Sequence, residues 1–139
     1  MTIAAEFRSL VETLAQAWSA QDTELGTGCF APDAIYMEPP DIQLYLGAEQ
    51  LRPYVAALTP GTFLHPHHIW FDEAERVGAI EYSFGTEGAR QADHGVAVLE
   101  VRDGKIAFWR EYQRKGPLSF QAFLSVNDKQ WEWHIGNYP

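Results

Sequence analysis

Tyr36 and Glu38 stand two residues apart in a short apolar stretch that stops at Pro39-Pro40. In a strand that spacing puts both side chains on one face. A carboxylate facing an apolar interior loses its hydration, which raises its pKa by up to ~3–5 units. That is the range a general base needs near neutral pH. Left at the strand end beside Pro39, the same glutamate would be an ordinary solvated rim residue. Glu81 and Ser83 share one strand face, and Ile80, Tyr82 and Phe84 share the other. His94, Val96, Val98 and Glu100 form a third set, and Ala107, Trp109 and Glu111 a fourth. If the faces bearing Glu81, His94 and Glu111 all turn inward, two carboxylates and an imidazole converge near Glu38. Turned outward they are solvated charges, the commoner fate of Glu. Alternation alone does not choose between the two when both faces carry apolar residues.

In Trp109-Arg110-Glu111-Tyr112 the arginine and the glutamate point to opposite faces. A buried charge without a partner is costly, and Glu111 with a Tyr or His donor meets that demand more easily than Arg110. His65-Pro66-His67 sets two imidazoles on one side of a strand. They could hold a metal with a third ligand from a neighbouring strand, or simply hydrogen-bond. The second reading is preferred, and neither a metal nor an organic cofactor is expected.

These residues need elements to position them. Phe7, Leu10, Val11, Leu14 and Trp18 recur at helical spacing, so residues 3–21 read as an amphipathic helix. Residues 22–31 read as a shorter one weakened by Gly26 and Gly28. A short strand spans 34–38. A third helix spans 48–58, with Pro53 inside it. Strands follow at 65–72, 77–84, 94–101 and 105–112. Residues 86–93 read as a loop, and Asp103-Gly104 is the strongest hairpin signal. Gly116-Pro117 opens an aromatic tail with Trp131, Trp133, His134 and Tyr138. Segments 1–139 form a single domain in this reading, with 116–139 packed on it or on a dimer partner. Segregated helices and an antiparallel sheet define an α+β domain. A curved sheet with helices against its concave face leaves an apolar hollow between the layers.

Composition narrows the partners. The chain of 139 residues has 46% hydrophobic and 21% charged residues, which marks a globular fold, and a net charge of −9 with no basic block. Nucleic acid and other polyanions are poor partners for such a surface. Glu6 and Arg8 interrupt the apolar N-terminus, so no signal peptide is expected there, and no run approaches membrane-spanning length. Cys29 is the lone cysteine. It fits a reducing cytoplasm and cannot build a cysteine zinc site.

The order of Ala20-Gln21-Asp22, Phe30-Ala31-Pro32-Asp33-Ala34, Glu38-Pro39 and Gly47-Ala48-Glu49-Gln50-Leu51-Arg52 resembles the nuclear transport factor 2-like superfamily. That superfamily includes ketosteroid isomerases, SnoaL-like polyketide cyclases and limonene epoxide hydrolase. The likeness continues through residues 95–101, Asp103-Gly104-Lys105-Ile106 and Trp109-Arg110-Glu111-Tyr112. It implies a cone, a strongly bent antiparallel sheet around three helices with a pocket at the open end, usually in a homodimer. In ketosteroid isomerases an acid followed by Pro at the end of the first strand moves the proton, and Glu38-Pro39 matches it. Their oxyanion tyrosine falls on Leu14 here and their protonated acid near Val96 to Val98, so both donors are absent. Tyr36 and Trp109-Arg110-Glu111 resemble groups of the epoxide hydrolase, with Glu for Asp. His94 and Glu111 resemble the His and Asp pair of the cyclases.

The resemblance therefore implies an enzyme of acid–base type, an isomerase, cyclase, hydratase or hydrolase acting on a small apolar molecule. Glu38 is assigned as base, His94 or Tyr36 as oxyanion donor, and Glu111 as a second acid–base group. Trp18, Tyr54, Glu81, Val96, Val98 and Trp109 are candidate ligand contacts. The alternative is a ligand-binding or dimeric scaffold protein of the same fold without catalysis.

Overall fold

The computed structural model describes residues 1–39 and 43–125. Helix α1 (Ile3–Ser19) starts where the Thr2 hydroxyl accepts from Ala5 N at 3.1 Å, and it buries Phe7, Val11, Leu14, Ala15, Ala17 and Trp18 as one stripe. Helix α2 (Thr23–Gly28) is capped by Asp22, whose Oδ1 accepts from Leu25 N at 3.0 Å. A side chain at Gly26 would place its Cβ 3.0 Å from Trp18 Cδ1, so the bare backbone of α2 is what lets it lie against that indole. Helix α3 (Ala48–Ala56) carries Pro53 within it.

The strands are β1 (Phe30–Glu38), β2 (Gln43–Leu46), β3 (Thr62–Asp72), β4 (Val77–Thr86), β5 (Gln91–Arg102) and β6 (Lys105–Pro117). They form one curved, unclosed sheet in the order β2-β1-β6-β5-β4-β3. Neighbours are antiparallel except β1 and β6, which run parallel. The architecture is the expected α+β cone. Three of its elements differ from the sequence reading. The segment before Gly47 forms the edge strand β2, the loop expected at 86–93 is partly strand, and a short helix α4 (Phe120–Leu124) follows β6.

The Asp103-Gly104 turn has positive φ at both residues, 52° and 72°, the geometry of a tight two-residue hairpin. Arg102 pairs with Lys105 and Val101 with Ile106, but Glu100 pairs with Phe108. Ala107 is thus an extra residue in β6, a bulge that shifts the register by one from there on. One residue of slip moves every later side chain to the other face. Glu111 therefore sits opposite Ala97, and His94 opposite Arg114.

The inner face of the sheet and the helices share one core. Phe30, Tyr36, Ile80, Tyr82, Leu99 and Trp109 come from the sheet, and Leu14, Trp18, Leu51 and Val55 from the helices. The tail residues Trp131, Trp133, His134 and Tyr138, expected to pack on the domain, lie outside the described residues. Among the described residues no helix is long and apolar enough to cross a membrane.

Candidate functional site

Glu111 sits 4% exposed at the centre of the inner face. Three neighbours hold it. Tyr36 Oη lies 3.1 Å and 3.0 Å from its two carboxyl oxygens, Trp109 Nε1 donates to Oε2 at 3.0 Å, and Tyr82 Oη is 3.1 Å from Oε2. Register explains the meeting. Tyr36 pairs with Trp109 across the parallel β1–β6 ladder, and Trp109 and Glu111 are two apart on β6. The Tyr36 and Trp109 rings stack at 5.3 Å and 8°.

Burial pushes the Glu111 carboxyl up to about 7, against hydrogen bonds from Trp109 and Tyr36 that favour its charged form, and the charge of Glu38 adds to the rise. Tyr82 donates to the same carboxyl and also favours its charged form. Tyr82 Oη is also 2.6 Å from Gln113 Oε1. A phenol has one proton to give. Given to Glu111 Oε2, that proton leaves Tyr82 Oη to accept from Gln113 with the amide turned to present Nε2. Burial also raises the Tyr36 and Tyr82 hydroxyls well above the usual phenol range, so both stay neutral donors.

Glu38 lies at the end of β1, half-buried, opposite Gln43 and on the same face as Tyr36. Its charge acts on Tyr54, Tyr82 and Glu111, so it stands beside their site without lining the space within it. Trp18 and Tyr54 belong to the site, with rings 5.8 Å apart and edge-on. Of the residues singled out from sequence, Glu38, Tyr36, Glu111, Trp18, Tyr54 and Trp109 come together. Sequence reasoning missed Tyr82, Gln113 and Phe84, although Tyr82 and Phe84 had been grouped correctly on one face.

His94, Glu81, Val96 and Val98 are not in this site. They lie on the outer face of the sheet, because the Ala107 bulge puts Glu111 on the face opposite theirs. An oxyanion role for His94 and ligand contacts by the other three inside the cone are thereby corrected. The outer residues have partners of their own. His68 Nδ1 meets Glu81 Oε1 at 2.9 Å. His94 Nε2 is 2.6 Å from Pro117 O, which can only accept, so Nδ1 is left to accept from Ser83 Oγ at 2.7 Å. Ser83 Oγ in turn accepts from His67 Nε2 at 2.7 Å. Phe120 stacks on His67 at 3.7 Å and Phe123 on His94 at 4.4 Å, so α4 covers this chain of hydrogen bonds. Burial lowers His67 to about 4, with the other histidines adding to the shift. Among the described residues no group of His, Cys, Asp or Glu could hold a metal ion.

The room around Glu111 is small. The chamber lined by Trp18, Tyr36, Tyr82, Trp109 and Glu111 holds about 10 Å³ of free space, close to what one water needs. Next to it lies a hollow of about 330 Å³, lined in part by Leu58, Thr62, Asp93 and Lys115. Tyr54 and Phe84 line both spaces.

A fold of this kind with an acid in its cone invites comparison with known families. The family model described as a SnoaL-like domain matches residues 11–109. The chain belongs to the SnoaL-like domain family. No curated protein matches it in sequence. Solved structures share the SnoaL-like fold at low identity. A nuclear transport factor 2-like protein of unknown function from Burkholderia xenovorans superposes with a TM-score of 0.70 at 21% identity, over 95% of this chain and 97% of that one. A protein of unknown function with a cystatin-like fold from Methylobium petroleophilum gives 0.72 at 19%, over 84% and 80%. An LEH-like epoxide hydrolase of M. tuberculosis gives 0.67 at 19%, over 80% and 84%. At these identities the likeness carries the fold alone. The residues of this SnoaL-like site have to speak for the chemistry.

Proposed function

We propose that this SnoaL-like protein is a cofactor-independent acid–base enzyme for a small, uncharged, largely apolar molecule bearing one reactive oxygen. The observation that carries the reading is the buried Glu111, held by two phenols and an indole and poised near neutral pH. In its neutral form Glu111 gives its proton to a carbonyl or epoxide oxygen. Glu38 takes one from the adjacent carbon, or from a water that attacks it. The pair ends as ionised Glu111 and neutral Glu38, and solvent at the mouth returns the proton. Two carboxyl groups in unlike surroundings, one deep and one at the rim, are the pattern that separates acid from base. Tyr36 acts through Glu111, since its hydroxyl faces both carboxyl oxygens.

Cyclohexene oxide, its methyl-substituted analogue and a β,γ-unsaturated cyclohexenone test the reading. Turnover of at least one of them is expected. Glu38→Gln should lower kcat by about 10²–10⁴, the usual contribution of one acid–base group, with KM little changed. Binding of all three without turnover of any would contradict it.

That outcome would favour the second reading, a ligand-binding protein without catalysis. One observation supports it already: the free space beside Glu111 is about 10 Å³. A homodimer belongs to either reading. The outer face exposes Trp70 at 52% and Tyr112 at 50% beside the half-buried Val96 and Val98, and we assign a second copy of the chain to cover it. Burial pushes the Cys29 thiol up to about 11, so it takes no part in the chemistry.

A further inference from the structure

The chamber that holds Glu111 and the hollow large enough for a ligand are separate spaces with two walls in common. Tyr54 from α3 and Phe84 from β4 line both. Each ring meets Trp18 edge-on, Tyr54 at 5.8 Å and 64° and Phe84 at 6.0 Å and 74°. Trp18 is 2% exposed and packs against the bare backbone of Gly26, so it is a fixed post. Tyr54 and Phe84 are half-buried. Phe84 is paired with Leu64 on one side and with Asp93, which also lines the hollow, on the other. Phe84 lines both spaces and turns freely about its first side-chain torsion, so a rotamer change is the motion that would carry its ring from one to the other. No backbone change is needed for a step of that kind.

We propose that Tyr54 and Phe84 form an aromatic gate between the ligand hollow and Glu111, and that their bulk sets the largest substrate that reaches the acid. This rests on the acid–base reading of the site. In the closed position the gate keeps Glu111 out of water, and with the ring turned aside the two spaces become one. The ligand's apolar body then stays in the hollow against Leu58 and Thr62, and its oxygen enters the chamber. Asp93 also faces the hollow, with Lys115 Nζ 4.0 Å from its Oδ1, so among the described residues the lining's one cation is already paired. Neutral ligands suit such a lining.

Cyclohexanone and the bulkier adamantanone serve as probes, added to the intact protein with its carboxyl carbons isotope-labelled. The Glu111 signal in NMR reports contact with the acid directly, so no turnover is needed. Cyclohexanone is expected to shift that signal in the wild type, and adamantanone to leave it in place. In Phe84→Ala adamantanone should shift it and bind at least about tenfold more tightly than to the wild type, a factor one hydrophobic wall can supply. Phe84→Tyr keeps the ring and should restore the wild-type cut-off. Tyr54→Leu, on a different element, should relax it independently. A merely structural role would lower stability in these variants without moving the size limit. Equal response of the wild type to both ketones, or no gain for adamantanone in either ring-removing variant, would overturn the gate. A Glu111 that titrates as an ordinary surface carboxylate in the wild type would instead remove the acid–base reading, whatever the ketones do.

Discussion

Glu111→Gln should lower turnover by about 10²–10⁴ and, above pH 7, leave the protein more stable than the wild type. The first effect follows from removing the proton that Glu111 delivers. The second follows from linkage. The carboxyl is raised from 4.5 to about 7 in the folded chain. Between those values the unfolded chain has released its proton and the folded chain still holds it, so folding stability falls as pH rises through the window. A shift of that size corresponds to on the order of 3 kcal/mol, fully present below about pH 4.5 and lost above about pH 7. Glutamine mimics the neutral acid: with its oxygen in the Oε2 place it accepts from Trp109 Nε1, and its amide in the Oε1 place can donate to Tyr36 Oη. It therefore keeps the low-pH stability at every pH. His67 acts with the opposite sign. Its imidazole is lowered from 6.5 to about 4, so stability falls as pH drops through that window. The His67 effect is the weaker, because that ring is only half-buried and solvent screens it. The two slopes oppose each other in the wild type. Urea unfolding from pH 4 to 9 should show a shallow decline with pH for the wild type, and for Glu111→Gln a rise from pH 4 to about 6.5 followed by a plateau. Parallel curves for the two proteins would mean that Glu111 is ionised in the folded state throughout.

The second large effect is on stability. Trp109→Ala is expected to cost about 3–5 kcal/mol, the range for deleting a large buried aromatic side chain. Trp109 is fully buried at 0% exposure, stacked on Tyr36, and its ring centroid lies 6.2 Å from that of Trp18 and 6.3 Å from that of Phe30. Nothing around it can collapse without unstacking Tyr36 from the Glu111 site. Trp109→Phe separates packing from hydrogen bonding. It keeps a ring in place and removes the indole N–H, which favours the charged form of Glu111. Its stability loss should be well under that of the alanine variant, and its Glu111 should titrate above the wild-type value. Urea midpoints and a carboxyl titration read the two quantities separately. An alanine variant as stable as wild type would show that the aromatic cluster does not carry the core.

Most of the cone could be read in the sequence, because its signals are local. The stripe of Phe7, Val11, Leu14 and Trp18 needs only helical periodicity, and Asp103-Gly104 needs only turn chemistry. The pairs Tyr36/Glu38 and Trp109/Glu111 are also legible, since each lies within one strand and alternation puts both members on one face. What could not be read was how faces on different strands combine. An unbulged hairpin would have set Val96 opposite Glu111 and Val98 opposite Trp109, which puts His94 with the acid. The single extra residue Ala107 reverses that parity. Nothing in Ile106-Ala107-Phe108 marks a bulge, as no glycine or proline stands there. Strand β2 escaped for a different reason. Gln43–Leu46 is too short to show alternation, and it is defined by its partner Ile35–Glu38. The seat of α4 on His67 and His94 is likewise tertiary, built from rings more than twenty residues apart.

The proposed chemistry requires a neutral, proton-bearing carboxyl inside the cone at physiological pH. An NMR titration of the isotope-labelled Glu111 carboxyl carbon, assigned by comparison with Glu111→Gln, measures this without a substrate. A midpoint at about 7 is expected. A midpoint close to ~4.3, the value of an unperturbed glutamate, would contradict it.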